Sequence, residues 1–123
     1  MFECCDLLDI SNIVRFPNVT TLEISDVLNL ECDKWKPISK LTNLRHLNLD
    51  RNSTFNHADD FKTLVNLETF SAVDCPDLAC VYGVLDLPML RELRLPARSR
   101  FYLLRHDFKG ELHYEELRHF HKR

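Results

Sequence analysis

Glycine is almost missing from this chain, with two residues in 123, Gly83 and Gly110. Glycine supplies the φ > 0 backbone of phosphate-cradling loops and two-residue hairpins. Its scarcity argues against a glycine-rich nucleotide loop and against an all-β fold built on tight turns. An excess of one charge is missing too. Sixteen Lys and Arg face nineteen Asp and Glu, for a net charge of −3, so the global balance points to no polyanionic partner. No apolar run approaches the roughly 18 residues of a membrane span. No H-E-x-x-H, G-x-S-x-G or P-loop motif occurs. The N-terminal MFECCDLLD carries acids where a secretory leader carries Lys or Arg. These absences predict an intracellular, cytoplasmic or nuclear protein with no membrane association and no cofactor.

Cysteine is present but in the wrong arrangement for a scaffold. Five occur, Cys4 and Cys5 adjacent, and Cys75 and Cys80 five apart, with neither a CxxC nor a zinc-type Cys/His spacing. An odd count with adjacent pairs is a poor disulfide framework, so the thiols are expected to be free and largely packed as small core residues. The histidines near the C-terminus, His106, His113, His119 and His121, include no i, i+4 pair and no placed carboxylate. No metal site and no enzyme activity are expected.

What the chain does have is an unusual apolar spacing. In LTNLRHLNLDRN, Leu41, Leu44, Leu47, Leu49 and Asn52 stand at offsets of 3, 3, 2 and 3, which is neither helical period nor plain alternation. The same offsets recur at Phe16-Val19-Leu22-Ile24-Val27, at Leu64-Leu67-Phe70-Ala72-Cys75 and at Leu87-Leu90-Leu93-Leu95-Arg98. From Leu22 to Leu47, Phe70 and Leu93 the successive spacings are 25, 23 and 23. The central pair fits a short strand with two side chains on one face. A lone unit cannot bury that face, whereas stacked units bury it against one another. A period of this length gives parallel strands the long crossover they require.

With Leu44-Leu47-Leu49-Asn52, and with Leu67-Phe70-Ala72-Cys75 followed by Leu78, the chain resembles the leucine-rich-repeat family, whose consensus is L-x-x-L-x-L-x-x-N/C-x-L. The resemblance covers residues 16–98 and is to irregular, intracellular-type repeats of about 23 residues. It implies an α/β repeat fold: a short solenoid with a parallel sheet on the concave face and irregular loops or short helices on the convex face. Val27 and Arg98 stand where the family has Asn or Cys. The expected organisation is one domain over 1–123, with residues 1–15 as an N-terminal edge strand or cap, four repeats over 16–98, and a C-terminal cap or tail over 99–123. Within that tail Glu111–Tyr114 reads as a last strand and Glu115–Phe120 as a short helix. On the convex side, Asn56 or His57 is expected to cap a short helix over 58–64, and Trp35 to pack beneath the longest insertion, residues 28–40.

Use follows from the concave face. Residues flanking the strand leucines point outward, namely Thr21, Glu23 and Ser25, then His46, Asn48 and Asp50, then Thr69, Ser71 and Val73, then Glu92 and Arg94. In the resembled family, this face usually recognises a protein or peptide, so the expectation is an interaction module serving as adaptor or competitor. Two alternatives stand beside it. The chain could be a structural segment of a larger receptor or adaptor. Its basic part could instead bind nucleic acid, with Phe101 and Tyr102 stacking on bases. Charge is polarised along the chain. Residues 1–33 hold seven acids and one Arg, whereas residues 90–109 hold six bases and two acids, which predicts an oriented partner.

Overall fold

A computed structural model of the chain describes residues 10–27, 30–78, 81–96 and 110–114. Five short strands form one sheet: β1 (Thr21–Glu23), β2 (His46–Asn48), β3 (Thr69–Ser71), β4 (Glu92–Leu95) and β5 (Glu111–Tyr114). All pair in parallel and in chain order. The register is the one the spacing predicts. Leu22 is the partner of Leu47, Leu47 of Phe70, Phe70 of Leu93, and Leu93 of Leu112. The arrangement is α/β, with a parallel sheet and few, short helices.

Each of the first four strands is preceded by a brief helical segment. Three are 3-10 helices, η1 (Ser11–Arg15), η2 (Cys32–Lys40) and η3 (Asp59–Thr63), and one is a single α turn, α1 (Tyr82–Leu85). Successive segments pack side by side, η1 on η2, η2 on η3 and η3 on α1. No side-chain cap closes any of them, so the expected capping by Asn56 or His57 is not made. The η3 segment begins at Ala58 as its N-cap, and each 3-10 helix ends with the backbone N–H of the following residue bonded to the carbonyl three positions back. Pro37 inside η2 has no backbone N–H to donate.

Side chains at equivalent positions stack into columns that run through the core. Ile10, Trp35, Ala58 and Val81 form one, and Ile13, Ile38, Phe61 and Val84 another; Leu30, Phe55 and Leu78 form a third, all buried. Volumes compensate between neighbours, with the large Trp35 stacked next to the small Ala58. The rings of Trp35, Phe55, Phe61 and Phe70 meet at centroid distances of 5.6 to 6.3 Å, three of these contacts edge-to-face and Phe55–Phe61 stacked, an arrangement that adds to the area they bury. The indole Nε1 donates to Thr54 Oγ1 at 3.2 Å. Trp35 is buried as expected.

Of the N-terminal edge strand or cap expected over residues 1–15, the described part forms a 3-10 helix at residues 11–15. Ile10 and Ile13 are buried on the helical side, one repeat before Trp35 and Ile38. The remaining residues of that expected strand lie outside those described, as do Arg98 and the helix read over Glu115–Phe120. Phe16 occupies the column of the buried Leu41, Leu64 and Leu87 yet is 55% exposed. It stands at the end of that column, with Leu41 on one side only among the described residues.

Candidate functional site: the open face of the sheet

The slot after each strand decides how neighbouring units are tied. Asn52 is fully buried, and both polar atoms of its amide are hydrogen-bonded. Nδ2 donates to Ile24 O and Leu49 O, both at 2.8 Å, and Oδ1 accepts from Val27 N–H at 3.0 Å. Val27, which lacks a polar side chain in this slot, is thus satisfied from the next unit. Cys75 fills the same slot one unit on, with Sγ 3.1 Å from Leu49 O. Burial pushes its thiol up to about 12, so it stays protonated and unreactive.

Just before this slot the chain turns through left-handed backbone at Asp26, Arg51 and Asp74, with φ of 58°, 63° and 56°. These are equivalent positions, and none is glycine. Asp tolerates this region better than most residues, whereas Arg does not. Arg51 is held there by its backbone N–H on Val73 O at 2.9 Å and by its guanidinium on Asp26 at 3.0 Å. The hydrogen bond and charge of Asp26 raise the Arg51 pKa, and the charges of Asp50 and Glu23 add to that.

These turns fix the floor of the open face. Two rows of side chains cross the strands. One runs Thr21, His46, Thr69, Glu92, and the other Glu23, Asn48, Ser71, Arg94, in the observed pairing. They line a cleft of about 320 Å³ together with Asp50. Nine of the eleven residues expected on this face therefore border one cleft; Ser25 and Val73 do not. Ser25 is a correction, since it is buried at 3% exposure. Ser25 lies beyond the end of β1, where strand alternation no longer fixes the direction of a side chain. Val73 is half-buried and contributes its N–H to Asp50.

The side chains on the face are braced against one another. His46 Nδ1 and Thr69 Oγ1 lie 2.9 Å apart. Asp50 Oδ1 accepts from Ser71 Oγ at 2.7 Å and from Val73 N–H at 2.9 Å, while Asn48 Oδ1 accepts from Asp50 N–H at 2.9 Å. Arg94 turns back on its own strand to Glu92, with Nη2 2.9 Å from Oε2. Such bracing lowers the side-chain entropy a partner would have to remove.

A second ladder runs along the strand entrances. Arg45 and Arg91 flank Glu68 at 2.6 and 3.4 Å, and the Arg45 hydrogen bond leads in drawing the Glu68 carboxyl below its ordinary range. Beside it Asn43 Nδ2 donates to Pro17 O and Asn66 Nδ2 to Thr42 O, both at 3.0 Å. Spacing alone could have revealed both ladders, because Arg45, Glu68 and Arg91 recur at the repeat period with alternating sign.

Among the described residues no group of three His, Cys, Asp or Glu is placed to hold a metal, and no helix is long and apolar enough to cross a membrane. The basic stretch with Phe101 and Tyr102 lies outside the described residues. No family model, curated protein or solved structure matches the chain.

Proposed function

We propose that this chain is a short leucine-rich-repeat solenoid that works without catalysis, binding another protein across the open, concave face of its sheet and serving as adaptor or competitor. The observation that carries this reading is the cleft. Its lining sets a braced array of varied polar side chains from four consecutive strands beside Leu22, Leu47 and Phe70, a mixed polar and apolar surface of the kind that recognises a polypeptide. The near-constant period, the unbroken register and the Asn52 and Cys75 slots all agree with the family consensus, and this supports the solenoid reading.

The experiment is affinity capture with mass spectrometry, comparing wild type with a Thr21→Tyr/Thr69→Tyr variant. Those substitutions place bulk in the cleft without adding charge and suit strand backbone. A partner enriched by wild type and lost with the variant, while the melting curve stays put, is the expected result. Partners retained equally by both proteins would move the binding surface elsewhere.

A further inference from the structure

The β1–β2 part of the cleft and its β4 part differ in charge, and the difference specifies a kind of partner. At β4 the guanidinium of Arg94 and the carboxylate of Glu92 form a pair, with Nη2 and Nε 2.9 and 3.3 Å from Oε2, so these two charges offset each other. At β1 and β2 three carboxylates, Glu23, Asp26 and Asp50, surround one guanidinium, that of Arg51. Arg51 is committed to Asp26, its Nε lying 3.0 and 3.2 Å from the two carboxylate oxygens. Glu23 and Asp50 form no salt bridge among the described residues. Arg45 and Arg91, the other arginines of these strands, are turned to Glu68 on the strand-entrance side. Beside the Glu23 and Asp50 carboxylates the cleft is lined by Thr21 of β1 and by His46 and Asn48 of β2, and between them and β4 by the uncharged Thr69 and Ser71 of β3. The Asp50 carboxylate is also fixed in direction, because Oδ1 accepts from both Ser71 and Val73.

We propose that this cleft takes an extended polypeptide segment crossing the strands, with a Lys or Arg side chain seated at the β1–β2 end between Glu23 and Asp50 and uncharged residues lying over β3. The inference rests on the protein-binding reading above and narrows it by charge complementarity. From β1 to β4 the face spans about 14 Å at ~4.8 Å per strand, a distance that a short stretch of extended chain covers. An acidic segment or a nucleic-acid backbone would meet three carboxylates, Glu23, Asp26 and Asp50, set against the single guanidinium of Arg51.

The test is panning a random dodecapeptide phage library on the full chain, with recovered peptides synthesised and titrated. Peptides enriched in Lys and Arg over the input library are expected. Their binding should disappear with Thr21→Tyr/Thr69→Tyr and weaken roughly two- to fivefold for each of Glu23→Gln and Asp50→Asn. It should weaken further as salt is raised. Glu23→Gln breaks no hydrogen bond among the described residues, so its effect is readable even if Asp50→Asn disturbs the Ser71 contact. Peptides that depend on the cleft but show no basic enrichment and ignore Glu23→Gln would overturn this inference and leave the protein-binding reading standing. Recovering no binders, or binders indifferent to the tyrosine pair, would overturn both.

Discussion

The strand side and the helical side of this molecule are built from the same repeating units, yet they obey different rules. On the strand side every unit is locked to the next by the same backbone pattern. Arg45 and His46 N–H both reach Thr20 O, Glu68 and Thr69 reach Arg45 O, and Arg91 and Glu92 reach Glu68 O. On the helical side the segments differ in length and change type. The longer unit takes up its extra length between Leu30 and Trp35. The spacing from Leu30 to Phe55 is 25, whereas that from Trp35 to Ala58 is 23. Length variation is accepted where backbone is not hydrogen-bonded to a neighbouring unit, and side-chain volume fills what the backbone leaves. A surface meant to hold a fixed array of side chains therefore belongs on the strand side.

The substitution with the largest expected effect erases the comparison by removing what both sides share. Leu47 lies at the centre of the strand columns, and Leu47→Ala should cost about 2–5 kcal/mol. Both sides should melt together, so fluorescence of the single Trp35, on the helical side, should follow the same curve as far-UV circular dichroism. Separate transitions would show that the two sides are independent.

Asn52→Leu comes next. It leaves Val27 N–H and Ile24 O without their side-chain partner and Leu49 O with the Cys75 thiol alone, and should cost about 3 kcal/mol in urea denaturation. Cys75→Ala, in the equivalent slot with only a weak sulfur bond, should cost about 1–2 kcal/mol. Equal losses at the two slots would mean that the Asn52 ladder contributes little.

Gly83→Ala acts on the helical side alone. An added Cβ would lie 2.7 Å from the backbone oxygen of Asp59, and Gly83 N–H donates to Asp59 Oδ1 at 2.8 Å, so α1 must shift away from η3. A loss of about 1–3 kcal/mol is expected. Hydrogen exchange should rise around residues 81–85 before it rises at β2. A neutral variant would show that the segments slide freely.

A smaller effect is a matter of pH. The folded Cys75 thiol is raised to about 12 from an ordinary value of 9.0 by burial. Its contribution to stability is therefore fully present below about pH 9 and falls away as pH rises from there toward 12. The stability advantage of wild type over Cys75→Ala should shrink as pH climbs past 9, and native alkylation of Cys75 should be slow throughout. Rapid labelling would place the thiol at the surface.

Much of the strand side could be read from the chain. The 3, 3, 2, 3 offsets located all four central strand residues, and Leu112 continued the series. Cys75 fell in the asparagine slot, and Trp35 under its insertion. The rest was hidden for physical reasons. Scarce glycine suggested little φ > 0 backbone, yet Asp26, Arg51 and Asp74 adopt it, because hydrogen bonds to the next unit and an ion pair offset the strain at Arg51. Ser25 looked like an outward strand residue only because alternation was carried past the end of β1. The capping signal read at Asn56 or His57 misled, because the turns of the helical side are stabilised by columns of buried side chains rather than by their own termini.

The most direct test sets the two sides against each other in binding. The partner recovered by wild-type capture would be titrated with the charge exchange Glu23→Arg/Arg94→Glu on the strand side and with Lys62→Glu on the helical side. Each exchange alters exposed or half-exposed positions and should change stability by about 0.5 kcal/mol or less. The predicted result is slower association for the strand-side exchange, with the difference shrinking at high salt, and unchanged kinetics for Lys62→Glu. Unchanged binding by the strand-side exchange together with weakened binding by Lys62→Glu would contradict the account and assign recognition to the helical side.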